Sequence, residues 1–219
     1  MINKELSKRI LSSLILIPIA LFFIMDDGFL FTFFIIIFFL VTSYEWHNMS
    51  KKKSYYILGL FFLFLSFYSA YQIRTSIFGS YEYFVVILLI CISTDIGGYV
   101  FGTIFKGPKL TKISPKKTYS GVIGGYLLSM ICLNIVLNSN YFSIKPFEVT
   151  FDFFIFILLI STISQLGDII ISYFKRLSKI KDTGKIIPGH GGLLDRIDGM
   201  IFAYPFAYLF LKINIFQNF

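Results

Sequence analysis

Nearly uninterrupted apolar segments, each about as long as a bilayer is thick, are the strongest constraint on what this chain can fold into. A helix needs about 20 apolar residues to cross the roughly 30 Å hydrocarbon core. Such segments lie at about 9–25, 28–46, 54–72, 82–105, 119–138, 152–174 and 197–214. Hydrophobic residues make up 56% of the chain, against about 45–50% in a soluble domain. The sequence therefore predicts an all-α, polytopic transmembrane bundle of about seven helices.

Two local features bear on the number of helices. Residues 80–120 leave room for an additional half-helix, so eight helices are the alternative to seven. The chain starts with a charged stretch and an apolar run, as a signal peptide does, but Asp26 and Asp27 follow without a small-residue cleavage site. We therefore expect the first segment to be a retained transmembrane helix.

The two cysteines, Cys91 and Cys132, both lie in apolar runs. Free cysteine behaves as a small apolar residue when it is buried. We expect both to be buried apolar side chains and not a disulfide or a metal-binding pair.

Basic residues predict the orientation of the helices, because cytoplasmic loops of membrane proteins carry an excess of Lys and Arg. If the N-terminus is cytoplasmic and the segments alternate, only Arg74, Lys145 and Lys212 of the 20 basic residues fall on the outer side. The net charge of +8 therefore has a topological use, and we do not expect nucleic-acid binding. The lysines at 51–53 are explained in the same way.

The two longest polar segments, at about 106–118 and 175–196, fall on the cytoplasmic side in this arrangement. No soluble domain or internal repeat is evident, so residues 1–219 are predicted to form a single integral membrane domain. In a chain this apolar, any chemistry on nucleotides would have to take place at these two loops.

Three aspartates flank the second polar segment where apolar runs end or begin. Ionisable residues at such positions are functional candidates, because charges are costly beside lipid. Asp168 ends one apolar run, and Asp195 and Asp198 lead into the next with a spacing that places both on one face of a helix. Hard cations such as Mg²⁺ prefer oxygen ligands of this kind. The sequence predicts a Mg²⁺ site formed by these three residues, with room for a second cation.

Basic residues and glycines in the same segment suit the binding of phosphate groups. Ser172 lies on one helical face with Asp168 and Arg176. Glycines on both sides of His190 would expose backbone N–H groups as a nest for an anion. The alternative for the lysines is a solvated flank, and for Asp182 an ion pair with a neighbouring lysine. The candidate residues of this segment are Ser172, Lys175, Arg176, Lys181, Asp182, His190, Gly191, Gly192 and Arg196.

The first polar segment has two interpretations that the sequence leaves open. Lysines beside hydroxyl groups at a helix start suit phosphate oxygens, and the candidates are Ser114, Lys116, Lys117 and Thr118. The alternative is a positively charged inner loop between two glycine-bearing helix faces that pack closely. Those glycines are Gly97, Gly98 and Gly102 before the loop, and Gly121, Gly124 and Gly125 after it.

The second segment resembles the signature of the phosphatidate cytidylyltransferases, also called CDP-diacylglycerol synthases. In this sequence it reads SYFKRLSKIKDTGKIIPGHGGLLDRID, from Ser172 to Asp198. The resemblance extends to Asp95, to the segment 114–118 with the following glycines, and more weakly to Glu45 and Trp46. This chain departs from the family at three positions. It has Tyr119 and Ser120 where the family usually has Trp-Glu, and Ile171 where the family often has an acidic residue. Because two carboxylates are missing, we assign no metal-binding role to positions 120 or 171.

The resemblance implies that CTP and phosphatidate react to give CDP-diacylglycerol and pyrophosphate. The distribution of basic residues predicts a site on the cytoplasmic face, and the abundance of Phe, Ile and Lys, typical of an AT-rich genome, favours a bacterial inner membrane. The aspartates would hold Mg²⁺, and the basic residues of both segments would balance the charge of the phosphates. His190 would donate to a phosphate or to the leaving pyrophosphate. No general base is expected, because a phosphomonoester has a second pKa of about 6 and is largely ionised near neutral pH.

Two other functions remain alternatives from the sequence alone. A CTP-dependent polyprenol kinase would transfer the γ-phosphate and release CDP. An ion or anion transporter would use Asp95 and Asp168 to line a path, but transporters usually contain related halves with broken helices, which this chain does not show. The sequence also leaves open whether the chain forms a homodimer.

Overall fold

The computed structural model describes residues 4–26, 28–77, 81–139, 150–187, 189 and 191–213. Its helices are α1 (Lys4–Met25), α2 (Phe29–Ser50), α3 (Tyr56–Gln72), α4 (Tyr81–Ile104), α5 (Tyr119–Asn138), α6 (Phe151–Leu177), α7 (Leu194–Ile197) and α8 (Met200–Lys212). A π-helical turn, Ile73–Ile77, extends α3. The predicted all-α architecture is confirmed, and each predicted apolar segment coincides with one of these helices.

Five of the described helical segments are long and apolar enough to cross a membrane: Phe29–Ser50, Tyr56–Thr75, Tyr81–Ile104, Tyr119–Asn138 and Phe151–Leu177. Two further apolar helices, Leu14–Met25 and Met200–Lys212, are shorter. The chain is therefore a polytopic helical membrane protein.

The additional half-helix considered for residues 80–120 is not there. Helix α4 ends where Lys106 and Gly107 adopt positive φ angles of 52° and 101°. The chain then runs as a loop, with one isolated bridge between Lys109 and Thr118, until α5 begins. Consecutive residues with positive φ end a helix, and prolines at 108 and 115 disfavour a new one. The short extra helix is α7, at the far end of the second polar segment.

Hydrogen bonds at both ends of the bundle show that the helices alternate in direction. At one end, which we call the polar end, the Ser178 hydroxyl after α6 donates to the Met49 carbonyl oxygen of α2 at 2.9 Å. At the opposite end the buried Arg74 side chain donates to the carbonyl oxygens of Ile24 and Asp26, each at 3.1 Å. Both long polar segments lie at the polar end.

The glycines of α4 and α5 bring the two helices into backbone contact. A Cβ atom on Gly97 would lie 2.9 Å from the Cα of Gly125, and one on Gly121 would lie 2.7 Å from the Gly98 carbonyl oxygen. Lipid gives no hydrophobic drive for helix association, so close packing of this kind holds such helices together. The glycines thus fix the loop 105–118 relative to the rest of the polar end.

Large buried side chains fill the centre of the bundle and hold α6 and α8 against α4. Phe153, Phe156 and Ile160 of α6 are fully buried, as is Ala203 of α8. Near the polar end, Gly167 lets α8 approach, because a Cβ atom there would lie 2.6 Å from the Phe202 ring. The packing of α6 on α8 therefore brings Asp168 of α6 towards Asp198, which lies just before α8.

We expect Gly97→Ala to destabilise the protein by about 1–3 kcal/mol, because a methyl group at a backbone contact forces the two helices apart. The measurement is the midpoint of thermal unfolding in detergent. Gly98→Ala is the matched control, since a Cβ atom at Gly98 would lie 3.7 Å from the nearest neighbouring atom, an ordinary contact. Equal midpoints for the two variants would contradict the close packing of α4 on α5.

Candidate active site

Helix α6 ends in a tight turn that starts the loop of residues 178–193, which we call the glycine-rich loop. Lys179 has a φ of 57°, its N–H donates to the Arg176 carbonyl oxygen, and the Ile180 N–H donates to the Lys175 carbonyl oxygen at 3.0 Å. This pair of bonds is the Schellman arrangement, usually built with glycine at the position of Lys179. It satisfies the terminal carbonyl groups of α6 and turns the chain back over the polar end.

Glu45 of α2 holds the far end of the glycine-rich loop. Its carboxylate accepts hydrogen bonds from the N–H groups of Leu193 and Leu194, at 2.9 and 2.8 Å, and from the Thr183 hydroxyl at 2.9 Å. The residue is only 2% exposed. The two N–H groups belong to the start of α7, where helices have unsatisfied donors and favour a negative charge. Glu45 therefore ties the two ends of the loop to α2.

Asp195 makes a second set of bonds inside the loop. Its carboxylate accepts from the N–H groups of Thr183 and Gly192, at 2.8 and 3.0 Å, and pairs with the Lys175 ammonium at 2.9 Å. Both side chains of the ion pair are nearly buried. In this geometry Asp195 supports the loop and neutralises Lys175, and its function as a metal ligand stays a prediction.

Two glycines are needed because Glu45 packs directly on the loop backbone. A Cβ atom on Gly184 or on Gly192 would lie 2.6 Å from a Glu45 carboxylate oxygen. The N–H groups around Gly192 that we expected to form an anion nest are bonded to Asp195 and Glu45 in this structure. The glycines thus permit close approach of an internal carboxylate, and phosphate binding by Gly191 and Gly192 stays a prediction.

A second group of carboxylates lies where α4, α6 and α8 meet. The carboxyl groups of Asp168, Asp198 and Asp95 lie close enough to interact electrostatically with one another. Asp198 lies at the break between α7 and α8, where it also accepts from the Gly199 N–H at 2.9 Å. The sequence grouped Asp168 and Asp198 with Asp195, but their third acidic neighbour here is Asp95.

Lys117 brings the first polar segment to this carboxylate group. Its ammonium pairs with Asp168 at 2.6 Å and donates to the Gln165 carbonyl oxygen at 3.1 Å. Ser172, one turn along α6, donates to the other Asp168 oxygen at 3.2 Å. The two segments that the sequence singled out, far apart in the chain, therefore meet at Asp168.

The remaining predicted site residues lie elsewhere on the two polar segments. Thr118 caps α5, because its hydroxyl accepts from the Gly121 N–H at 3.1 Å, and the Ser114 carbonyl oxygen accepts from the Lys117 N–H at 3.0 Å. His190 lies outside the described residues. The exposed members are Lys116, Arg176, Lys181, Asp182 and Arg196.

The carboxylates and cations together can bind a phosphorylated ligand at the membrane surface. Asp168 and Asp198 offer oxygen ligands to a hard cation, and Mg²⁺ usually combines one or two carboxylates with phosphate oxygens of a substrate. Among the described residues no group of three or more His, Cys, Asp or Glu side chains could hold a metal ion. Exposed lysines and arginines around the centre can neutralise further phosphate charge.

The sequence linked Glu45 to the family signature only weakly and did not predict a function for it, although Glu45 organises the glycine-rich loop. The signal was present, because Glu45 is an acidic residue near the end of an apolar segment, as Asp168 is. What the sequence could not show is that α2 ends beside α7. His47, two residues further on, bonds to the Tyr56 hydroxyl at 2.9 Å and lies on the exposed side of α2.

Comparisons with known proteins agree with the sequence resemblance. The sequence model of the cytidylyltransferase family matches residues 54–214. A protein named phosphatidate cytidylyltransferase from Rickettsia typhi is 36% identical over 213 residues, which are 95% of this chain and 91% of that protein. One of the same name from Rickettsia felis is 35% identical over 216 residues, 91% of this chain and 89% of that protein. A third, from Staphylococcus haemolyticus, is 40% identical over 136 residues, 59% of this chain and 49% of that protein.

We expect Glu45→Gln to loosen the glycine-rich loop. A glutamine has one acceptor oxygen, so either orientation leaves the N–H group of Leu193 or Leu194 facing an amide donor. A buried donor without a partner costs about 1–3 kcal/mol, which corresponds to an increase of about 5-fold to 150-fold in local opening. The measurement is hydrogen exchange of the amides in residues 183–194, in detergent.

Glu82→Gln is the matched control for this experiment. Glu82 is also 2% exposed, but it lies in the first turn of α4 at the opposite end of the bundle. Its substitution should leave exchange in residues 183–194 unchanged. If Glu45→Gln also left that exchange unchanged, Glu45 would not be what holds the loop.

Proposed function

Because the chain belongs to the cytidylyltransferase family, we propose that it transfers CMP from CTP to phosphatidate, giving CDP-diacylglycerol and pyrophosphate. The observation that carries this proposal is the meeting of Lys117, Asp168 and Asp198 at one end of a membrane bundle. Cation-binding and phosphate-binding groups thus lie together where a lipid phosphate and a water-soluble nucleotide can meet. The relatives that cover almost the whole chain carry the name of this activity.

The reaction exchanges one phosphoanhydride bond for another. A phosphate oxygen of phosphatidate attacks the α-phosphorus of CTP and forms a new P–O–P bond. The bond from the α-phosphorus to the oxygen that bridges to the β-phosphorus breaks, and pyrophosphate leaves with the electron pair. The attacking phosphate is largely ionised near neutral pH, so this step requires positioning and charge neutralisation more than a general base.

The residues of the polar end would supply these two requirements. Lys117 lies in the carboxylate group and would hold two negatively charged phosphates close together. Lys175 lies beside the group and would bind a phosphate by exchanging its partner Asp195 for it. Among the exposed cations, Arg176 and Arg196 present planar guanidinium groups that can bind phosphate oxygens in pairs. The loop bonds of Glu45 and Asp195 would keep these groups in place before substrate binds.

The carboxylate group fits a divalent cation by the chemistry of its donors. Asp168 of α6 and Asp198 at the break between α7 and α8 place carboxyl oxygens close together, with Asp95 nearby. Mg²⁺, when bound there, would neutralise phosphate charge in the transition state. The ion pair with Lys117 then has a second use, since that ammonium can shift from Asp168 to a substrate phosphate.

We further propose that the polar end faces the cytoplasm of a bacterial cell. The lysines and arginines gather at this end, which agrees with the charge bias of cytoplasmic loops. CTP is available on that side. The homodimer stays a prediction, and no observation favours the kinase or the transporter alternative.

We expect the purified protein, given CTP, phosphatidate and Mg²⁺ in detergent, to form CDP-diacylglycerol and pyrophosphate in equal amounts. EDTA should abolish the reaction, because Mg²⁺ would no longer neutralise the phosphate charge that develops in the transition state, and excess Mg²⁺ should restore it. The measurement follows both products. Release of CDP with a phosphorylated lipid would instead show γ-phosphate transfer, and turnover that persists in EDTA would contradict the cation site.

We expect Asp168→Asn to lower kcat by about 100-fold or more, because it removes a negative charge from the cation site and from the Lys117 pair. Asp152→Asn is the matched control, since Asp152 lies in the first turn of the same helix at the opposite end of the bundle. The control should keep normal turnover, and both variants should unfold near the temperature of the wild type. Near-normal turnover of Asp168→Asn would remove Asp168 from the site.

A further inference from the structure

A large apolar groove lies between α1 and α2 on one side and α4 on the other, with α3 and α8 beneath it. Its volume is about 850 Å³. Small-molecule sites in proteins have volumes of about 300–1,000 Å³, so the groove is large enough for a ligand. It is a feature that the catalytic group described above does not use.

One end of the groove opens at the active site. Ile186 and Leu193 of the glycine-rich loop line it there, together with Arg196 and Ile197. Among the described residues that line the groove, Arg196 is the only charged one. Arg196 also lies close enough to Asp95 to interact with it electrostatically, so the charged end of the groove adjoins the carboxylate group.

The groove then runs along the bundle, away from the polar end. Helix α4 lines it with Ile96, Ile92, Leu88 and Phe84, a stripe of one side chain per turn. Twelve residues of helix span roughly 18 Å. Ile24 of α1, at the opposite end of the bundle, lines the groove too. The groove is therefore more than long enough for acyl chains of one leaflet, which occupy about 15 Å, half of the hydrocarbon core.

The shape and the placement of charge fit one kind of occupant. A ligand of this groove has long apolar chains and a negatively charged group at the end that meets Arg196. A transmembrane helix from a partner would fill the apolar part but would bring no anion to Arg196. The other lipid-facing surfaces, such as the α5 face with Ile131 and Ile135, are exposed without being part of this groove.

We propose that this groove binds the acyl chains of phosphatidate and places its phosphate beside Arg196. The inference rests on the proposed function and adds a site for the lipid that selects substrates by chain length. Chains long enough to fill the groove gain contacts along α2 and α4, whereas short chains occupy only the end at the polar loop. The same groove fixes the direction from which the lipid phosphate reaches the carboxylate group.

Kinetics with lipids of two chain lengths test the site. Ile92→Trp and Ile37→Trp each place a bulky ring in the groove at a side chain that is 39% or 40% exposed, so the core need not be repacked. Ile131→Trp is the matched control, at a residue of α5 that is 54% exposed and not part of the groove. Turnover is measured in mixed micelles with dioleoyl-phosphatidate and with dihexanoyl-phosphatidate, at saturating CTP.

We expect the groove variants to raise the KM for the dioleoyl lipid by about tenfold, because the bulky ring occupies the space of part of an acyl chain and removes its packing contacts. The KM values for the dihexanoyl lipid and for CTP should stay within about twofold of wild type, and Ile131→Trp should change none of them. An equal loss with both lipids, or no loss with either, would overturn the groove as the site of the acyl chains.

Photolabelling separates this inference from the proposed function. A phosphatidate with a diazirine in the middle of one acyl chain should label residues 84–96 of α4 and 33–41 of α2. Unlabelled phosphatidate should compete, and Ile92→Trp should reduce the labelling. Even labelling of α5 and α4, or labelling without competition, would overturn the inference. If wild-type protein turned over neither lipid, the proposed reaction would be wrong, and the labelling pattern would still decide the occupant of the groove.

Discussion

The requirement that buried charges and backbone donors find partners governs the polar end of this protein. Glu45 is almost completely buried, and its carboxylate is stable there because three donors from the glycine-rich loop converge on it. Each partner depends on the other, since the start of α7 would otherwise have unsatisfied N–H groups beside lipid. Asp195 and Lys175 meet the same requirement, because each is the ion-pair partner of the other in a nearly buried position. The described residues of the glycine-rich loop are thus held to the helices by charge-assisted hydrogen bonds.

Glycines make these contacts possible in two different ways. Along α4 and α5 they let two backbones touch, and the loop 105–118 is carried to its place by that packing. In the glycine-rich loop, Gly184 and Gly192 leave room for a carboxylate from a different helix. A glycine-rich turn beside a histidine suggests anion binding from sequence, but here the nearest anions are the protein's own side chains. The composition of a loop therefore does not identify which anion it receives.

The helices could be predicted from sequence because their lengths and compositions follow from the bilayer, which acts on each segment separately. The meeting of Asp168 and Lys117 was within reach, since both were candidates at the same predicted end. The partners of Asp195 could not be predicted. Its spacing from Asp198 indicates that both lie on one helical face, but the break between α7 and α8 gives the two side chains different neighbours. Asp95, and not Asp195, is the third acidic residue of the carboxylate group, because α4 contacts α6. That contact depends on packing in three dimensions, which periodicity cannot show.

Two substrates of opposite polarity must meet at one point, and the bundle provides for this with two surfaces of opposite character. The cations around Asp168 attract a nucleotide from water, where electrostatic attraction acts at long range. The apolar groove gives no such attraction, because lipid tails are as apolar as its walls, and it can favour one lipid only by shape and by the charge at its end. Arg196 is where these surfaces join. A guanidinium group on the short helix α7, next to Asp198 and at the end of the groove, can bind the phosphate of a lipid whose chains are already in place.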